Sequence, residues 1–159
     1  MKIALINDTH FGARNDSPIF LEYFLSYFEN QFFPYLKKHN ITTVFHLGDL
    51  LDRRKYVNFH TLSAVQSRFI KPIEEMNLDF YCTIGNHDTY FRNTNDINSV
   101  RELFGSKMNI ISSPCEIEMD NGIKFLALPW INKSNYDESI KSIKNTNAEY
   151  VIGHLEIED

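Results

Sequence analysis

The chain has 159 residues, of which 43% are hydrophobic and 14% aromatic, and its formal net charge is −5. This composition supports one ordinary hydrophobic core, and the lack of low-complexity tracts and repeats excludes a disordered or solenoid protein. The acidic balance excludes a broad basic surface for nucleic acid, but it is compatible with an enzyme that meets phosphates through bound cations. The apolar run after Lys2 is too short for a signal peptide or a membrane span, so we expect no membrane contact and a cytoplasmic protein, in the host cytoplasm if viral.

Seven segments have the length and apolar content of β-strands. In chain order they are KIALIN, TTVFHL, LDFYCTIG, MNIIS, CEIEM, IKFLALPW and EYVIGH. Helical patterns separate the first three, and parallel neighbours need such a crossover, so a parallel, helix-covered sheet is predicted. The later segments are separated by SSP and DNG, which are turn signals, and antiparallel strands should follow. We predict an α/β fold in a single domain.

The first helical pattern starts at Ser17 and Pro18, a good N-cap and first-turn pair. Phenylalanine then recurs at every fourth residue, and this aromatic stripe consists of Phe20, Phe24, Phe28 and Phe32. We interpret the aromatic stripe as core packed against the sheet, while a role in a homodimer interface stays open.

Two further helices are predicted. One should begin near Asn58 and direct Leu62, Val65 and Phe69 inward until Pro72 kinks or ends it. The other should run from residue 96 to residue 104, with the glycine at 105 as its stop.

The cysteines and three of the histidines favour structural roles. Cys82 and Cys115 lie far apart without CxxC spacing, which predicts reduced core thiols and not a disulfide or a zinc site. His39 follows a predicted helix, His46 lies within a strand and His60 belongs to a helix start.

Polar side chains that favour metals cluster just after the apolar strand segments. They are Asp8 and His10, then Asp49 and Asp52, then Asn86, His87 and Asp88, and finally His154. In open α/β sheets the ligand site lies beyond the carboxyl ends of the strands, so these side chains should meet. Oxygen and imidazole donors without thiolates favour manganese, iron or zinc in an open catalytic site.

This mixture of residues suits phosphate ester hydrolysis. Two divalent ions about 3.5 to 4 Å apart can clamp the attacking and leaving oxygens. Asp49 can bridge both ions through its two oxygens, and the neutral Asn86 would limit the negative charge that repels the substrate. His87, next to it, would be free to meet the phosphoryl oxygen or the leaving group.

The ordered motifs DTH, GDLLDRR, GNHD and GH resemble those of the calcineurin-like metallophosphoesterases. Within that family the chain resembles the SbcD-type nuclease subunits of double-strand-break repair complexes, and most closely the recombination nuclease subunits of T-even-like bacteriophages. The segments ITTVFHLGDLLDRRK, TIGNHD, LALPW and VIGHLEI carry this likeness over nearly the whole chain. The resemblance implies a layered fold of helix-flanked mixed β-sheets.

The resemblance also implies residue roles. Asp8, His10 and Asp49 would hold one ion, most often Mn²⁺ in such nucleases, and Asp49, Asn86 and His154 would hold a second. His87 would be the catalytic histidine. Two groups of residues are assigned to supporting or substrate contacts: the aspartates Asp52 and Asp88, and the basic cluster Arg53, Arg54 and Lys55.

The pattern departs from the family after His154. The family completes both ions with a GHxH motif, which is absent here, so five of the seven implied protein ligands are found. We therefore expect residues 1–159 to form the N-terminal part of a nuclease domain, incomplete at its C-terminus and without the capping domain and partner-binding tail. An inactive truncated or scaffold form follows as one alternative.

The resemblance implies a two-metal exonuclease or endonuclease subunit that acts on DNA ends in recombination and repair with an SMC-like ATPase partner. A small-molecule phosphodiesterase or a protein phosphatase stays open, because the metal centre recognises the phosphate and not the group attached to it.

Overall fold

The computed structural model describes residues 2–155, which contain two β-sheets. The first sheet has four parallel strands in sequential order: β1 (Ile3–Ile6), β2 (Thr43–His46), β3 (Asp79–Thr83) and β4 (Asn109–Ile111). All four residues of β2 are buried, which explains the nearly continuous apolar run in the second segment. The predicted parallel sheet is confirmed.

The second sheet has three strands: β5 (Cys115–Glu118), β6 (Lys124–Leu128) and β7 (Tyr150–Gly153). β5 and β6 are antiparallel, and β7 lies parallel to β6 on its other side. Gly122 has a φ of +81° in the connection between β5 and β6, as a DNG turn requires. All seven predicted strand segments therefore form strands.

The helices and their bounds are α1 (Pro18–Tyr27), α2 (Phe33–His39), α3 (Phe59–Val65), α4 (Lys71–Glu75), α5 (Ser99–Phe104) and α6 (Tyr136–Asn145). A π-helical segment at Phe28–Phe32 joins α1 to α2, and another at Gln66–Ile70 joins α3 to α4. A short helical turn covers Ala13–Asp16. Within the described residues, no helix has both the length and the apolar character needed to span a membrane.

Successive side chains of β2 point to two different cores, as strand geometry dictates. Val44 packs in the larger core with the α1 to α4 helices, whereas Phe45 packs against Met119 and Phe125 from the second sheet. The first sheet is thus covered by helices on one face and by the second sheet on the other. This arrangement confirms the predicted α/β class with helix-flanked mixed sheets.

Pro72 does not end its helix, contrary to one of the two expected outcomes. The backbone continues from α3 to α4 because the amide of Lys71 donates to the carbonyl of Gln66, five residues back. Pro34 follows the other π-helical segment in the same way, with the Phe33 amide bonded to Phe28. Proline has no amide hydrogen to donate to the preceding turn. In the wider turn just before each proline, the amide bonds a carbonyl five residues back instead of four, which shifts the pairing of amides with carbonyls.

Other local expectations need correction. Phe28 and Phe32 of the aromatic stripe are buried, but Phe20 is 42% exposed, so the stripe is only partly core. The α5 helix begins at Ser99 and not at Asp96, because the Asn98 side chain caps it by accepting from the Arg101 amide. The α6 helix had no counterpart among the predicted elements.

The two cysteines differ in their surroundings. Cys82 is fully buried as expected, whereas Cys115 is exposed on β5 and is not a core thiol. Both are free, in agreement with the predicted absence of a disulfide.

Candidate metal centre

The loops that follow β1 and β2 run side by side beyond the sheet. The backbone amides of Asp8 and His10 donate to the carbonyls of Gly48 and Asp49, at 3.1 and 3.0 Å. Phe11 and Leu51 form an isolated parallel bridge further along. This continued pairing brings the first predicted ligand pair beside Asp49.

The same loops hold unusual backbone conformations. Asp8, His10 and Asp49 have φ values of +53°, +40° and +56°, a region that non-glycine residues seldom occupy. Such conformations persist only where the surroundings enforce them, and they concentrate at functional sites. Here the hydrogen bonds between the paired loop backbones enforce these conformations. As a result, the three side chains converge.

The first group of converging donors consists of His10, Asp49 and His87, whose nearest ligand atoms all lie within 4.8 Å of one another. His10 Nε2 is 3.5 Å from Asp49 Oδ2 and 3.4 Å from Asp8 Oδ1. The His10 and His87 rings meet edge to face with centroids 4.8 Å apart.

The second group consists of Asp8, Asp49 and His154, again within 4.8 Å. His154 Nε2 lies 3.6 Å from Asp49 Oδ2 and 3.0 Å from Asn86 Oδ1. Asp49 is only 3% exposed and belongs to both groups. The structure therefore brings together all five predicted ligands, with Asp49 at their centre.

The donor chemistry of this centre fits cations. The Nδ1 of His154 lies 2.9 Å from the Leu47 carbonyl, which can only accept, so Nδ1 carries the proton and Nε2 presents a lone pair. That lone pair faces the amide oxygen of Asn86, another acceptor. Two acceptors at 3.0 Å, with the carboxylates of Asp8 and Asp49 close by, are stabilised by a positive charge between them.

His87 is oriented by the loop after β2. Its Nδ1 lies 2.6 Å from the backbone carbonyl of Asp52 and donates to it, so Nε2 is the free nitrogen of the neutral ring. Its backbone amide donates to Asp49 Oδ1 at 2.8 Å. The Asp52 carboxylate lies 3.5 Å from His10 Nδ1, so it contacts the ring of one predicted ligand.

Asp88 is buried under the centre and does not face outward. Its two oxygens accept from four backbone amides, those of Asp49, Leu50, Leu51 and Gly85, at 2.8 to 3.3 Å. Burial raises the pKa of Asp88 to about 7, and the amide donors oppose that rise. Asp88 thus ties the loops after β2 and β3 together, a structural role consistent with one of the two expected for it.

Two glycines permit the close approach of these loops. A Cβ on Gly85 would lie 2.2 Å from Asp49 Oδ1, and a Cβ on Gly48 would lie 2.6 Å from His154 Nδ1. Gly48 also has a φ of +105°. The motifs GD and GN therefore contain glycine because any side chain would displace a predicted ligand.

The basic cluster lies on the loop that continues from Asp52. Arg53 pairs with Asp16 at 3.2 Å, and Arg54 donates to Thr89 Oγ1 at 2.9 Å. Lys55 is exposed and lies 5.3 Å from the centroid of the Tyr90 ring. The cluster is therefore anchored to neighbouring loops next to the metal centre and is not a freely solvated segment.

The other histidines occupy the places expected for structural residues. His46 is buried in β2 with its Nε2 3.0 Å from Thr9 Oγ1, and burial lowers the pKa of His46 to about 3, which keeps it neutral. His39 ends α2 and His60 lies in the first turn of α3.

Sequence reasoning missed two features of the centre. The carbonyls of Leu47 and Asp52 orient His154 and His87, and backbone groups carry no sequence signal of that role. The four-amide contact of Asp88 was not foreseen either, because its partners on the loop after β2 are 37 to 39 residues away in the sequence.

Comparison with known proteins bears on the fold and the site. The family model described as calcineurin-like phosphoesterase matches residues 1–158. The chain is 26% identical over 159 residues to exonuclease subunit 1 of Enterobacteria phage T4, covering 99% of this chain and 46% of that protein. The chain therefore spans about half the length of this curated relative.

Two solved structures are similar. The nuclease MPE of Pseudomonas putida has a TM-score of 0.52 at 22% identity, covering 79% of this chain and 52% of that one, which supports the fold alone. The protein AQ665 of Aquifex aeolicus, of unknown function, has a TM-score of 0.49 at 21% identity, covering 98% and 80% of the two chains. Because the family model matches residues 1–158 of the 159, the chain belongs to the calcineurin-like phosphoesterase family.

Proposed function

We propose that this chain is the nuclease part of an enzyme that hydrolyses DNA phosphodiester bonds with two divalent ions. The observation that carries the proposal is the pair of donor groups that share the buried Asp49. A carboxylate common to two groups of ligands is the feature that a two-ion site requires. The phage relative is named an exonuclease subunit, which supports a nucleic acid as the substrate.

We assign the ligands as follows: Asp8, His10 and Asp49 hold one ion, and Asp49, Asn86 and His154 hold the other. When bound, two such ions supply an activated water and neutralise charge on the phosphate. Oxygen and imidazole donors without thiolate suit manganese, iron or zinc, and we propose Mn²⁺ because the resemblance to the repair nucleases implies it. The assignment is supported by the Nε2 atoms of His10 and His154, which lie 3.5 and 3.6 Å from Asp49 Oδ2, by the 3.4 Å between His10 Nε2 and Asp8 Oδ1, and by the facing acceptors of Asn86 and His154.

His87 is assigned the catalytic role. Its Nδ1 proton is held by the Asp52 carbonyl, so Nε2 is the nitrogen that can meet a phosphoryl oxygen or, when protonated, donate to the leaving oxygen. Its ligand atom lies within 4.8 Å of those of His10 and Asp49, and its ring meets the His10 ring edge to face, so we place it beside the first ion, facing the substrate and not counted among the ligands. Arg53, Arg54 and Lys55 are assigned contacts to phosphates away from the scissile bond.

The wider setting follows from the same proposal. We propose residues 1–159 as the N-terminal part of a nuclease domain that processes DNA ends in recombination and repair, with an SMC-like ATPase subunit as its partner. The phage relative is named a subunit, which supports an assembly of more than one chain. A cytoplasmic location, in the host cell if the chain is viral, accompanies this proposal.

Substrate comparison tests the proposal. Turnover of DNA, a cyclic nucleotide and a phosphoprotein should be measured with Mn²⁺, for the wild type and for His87→Ala, with His60→Ala as the matched control. We expect DNA to be the best substrate and His87→Ala to lose about 10²- to 10⁴-fold in rate, whereas His60→Ala keeps its activity. Undiminished DNA cleavage by His87→Ala would overturn the mechanism, and faster turnover of either other substrate would favour a phosphodiesterase or phosphatase.

A homodimer is a second proposal, independent of catalysis. Ile19, Tyr23 and Tyr27 of α1 are 79%, 75% and 50% exposed, a large apolar and aromatic surface for one helix. A solution mass equal to two chains would support the dimer, and a mass of one chain at high concentration would contradict it.

A further inference from the structure

A cleft of about 200 Å³ opens beside the metal centre, between the loop that carries the basic cluster and the start of α5. Its lining includes Leu51, Lys55, Tyr56 and Tyr90, together with Leu103 from α5. Most of its surface is apolar, and the basic cluster also contributes to its lining. We call this space the aromatic cleft.

The rings of the aromatic cleft are arranged for stacking. Arg53 lies 5.0 Å from the Tyr56 ring centroid and Lys55 lies 5.3 Å from that of Tyr90, so each ring has a cation over it. Tyr56 and Tyr90 nevertheless remain 66% and 39% exposed. Exposed aromatic rings next to cations are the combination with which proteins hold unpaired bases and their phosphates.

The aromatic cleft is tied to the catalytic residues through the backbone. Tyr90 follows His87 by three residues, which limits their Cα separation to about 11 Å. On the other wall, Leu51 donates its amide to Asp88, and the next residue, Asp52, orients His87. A group bound in the cleft is therefore at most a few nucleotides from a phosphate at the metal centre.

We propose that the aromatic cleft binds an unpaired nucleobase of the strand being cut, stacked on Tyr56 and Tyr90, with Lys55 near the adjoining phosphate. This inference rests on the proposed nuclease function and deepens it by naming the substrate class: strands with an unpaired base next to the scissile bond. A base within an intact duplex is stacked and paired and cannot enter.

Glu102 of α5 is the one carboxylate among the described residues that line the aromatic cleft, and it is compatible with this occupant. A carboxylate accepts hydrogen bonds from the amino groups on base edges, whereas it would repel a second phosphate. The cleft thus favours a base and not a second phosphate next to Glu102.

Binding measurements without metal test the inference separately from catalysis. Fluorescence anisotropy in EDTA should compare a labelled single strand of about 12 thymidines with an abasic strand of the same length. Tyr56→Leu should weaken binding of the base-bearing strand by about 5- to 150-fold, and Tyr56→Phe should keep it, because stacking contributes about 1 to 3 kcal/mol per base. Tyr35→Leu, which removes a ring 58% exposed on α2, is the control and should bind as the wild type does.

The outcomes separate the two proposals. Weak binding of the abasic strand that is insensitive to Tyr56→Leu supports the aromatic cleft. Equal affinity of Tyr56→Leu and wild type, with Mn²⁺-dependent hydrolysis intact, overturns this inference and leaves the nuclease proposal standing. Base-dependent binding without any hydrolysis of DNA would support the cleft and overturn the nuclease proposal.

Discussion

The helical layer and the strand-end loops of this molecule are held together by different forces. Between the helices, Phe28 packs with Phe11, Phe32, Phe33 and Phe69, with ring centroids 4.7 to 6.2 Å apart. Around the metal centre, the main interactions are hydrogen bonds from backbone amides to buried carboxylates. Apolar packing tolerates small shifts, whereas ligand positions do not, so the loops depend on directional bonds.

Mutations in the helical layer and in the strand-end loops should therefore have different effects. Changes in the helical layer should mainly lower stability and leave the site geometry intact, since the layer meets the site loops through apolar packing, such as that of Phe28 on Phe11, and not through the hydrogen bonds that position the ligands. Changes in the loops should alter metal binding, with or without a loss of stability. Each of the following measurements tests that separation.

The largest loss of stability is expected for Phe28→Ala. Phe28 is 3% exposed, and removing its ring leaves a cavity among its aromatic neighbours, which costs about 3 to 5 kcal/mol. Urea unfolding should show this loss, while Tyr27→Ala, which alters an adjacent ring that is 50% exposed, should cost far less. If folded Phe28→Ala bound Mn²⁺ with an affinity different from that of the wild type, the helical layer and the strand-end loops would not be independent.

Asp88→Ala should cost about 3 kcal/mol and also weaken metal binding. The substitution leaves four amides of the two loops without their acceptor, and unsatisfied buried groups are expensive. Urea unfolding and Mn²⁺ titration should be carried out together, with the exposed Asp137→Ala as control. A loss below about 1 kcal/mol would show that the loops do not depend on this carboxylate.

Asp49→Asn should affect metal binding much more than stability. The amide oxygen can still accept from the His87 backbone, but the charge shared by both donor groups is lost. We expect Mn²⁺ affinity to fall by about 100-fold or more, since even residues behind the ligands change affinity by about 10- to 100-fold. Calorimetric titration measures this change, and binding equal to that of Asp137→Asn would contradict the assignment of Asp49.

The smallest effect is expected for Arg68→Met, within the helical layer. Arg68 hydrogen-bonds both Glu22 and Glu29, and these bonds lower the pKa of Glu22 to about 2 and lower that of Glu29 as well. A depressed folded-state pKa stabilises the protein above the unfolded value near 4.5, and that contribution disappears as the pH falls towards 2. The variant should thus have a slightly lower urea midpoint at pH 7.

The pH dependence distinguishes this ion pair from a packing effect. The difference in urea midpoint between wild type and Arg68→Met should shrink between pH 4.5 and pH 2, because both glutamates become protonated there. Lys71→Met, which removes a more exposed partner of Glu75, serves as control and should show less dependence. A midpoint difference that is constant with pH would attribute the effect to the arginine stem.

Much of the architecture and the convergence of the proposed ligands could be predicted from sequence because both depend on local patterns. Strand-length apolar runs mark the strands, and parallel strands must present their carboxyl ends at one edge, so Asp8, Asp49 and Asn86 converge. His154 could be placed by the same rule, although it comes from the second sheet.

The remainder depends on contacts between distant residues. Asp88 meets an amide 39 residues away, and no local pattern encodes such a partner. The α6 helix was missed because its sequence is mostly polar and offers only Ile140 and Ile143 as a spaced apolar pair. The fold, and not the neighbouring residues, likewise determines that the Asp52 carbonyl orients His87 and that the Leu47 carbonyl orients His154.

The π-helical segments also determine which side of the following helix faces the core. In a regular α-helix, residues four apart drift about 40° around the axis at each step, so an apolar spacing of four soon leaves the core. Thr61, Val65, Phe69 and Ile73 keep that spacing and are all at most 1% exposed, because the wider turn at Gln66–Ile70 offsets the drift. Deleting one residue there would rotate the helix beyond it by about 100° and turn Ile73 out of the core. A spacing of four that persists through a proline is thus a mark of a π-helical turn that can be recognised in sequence.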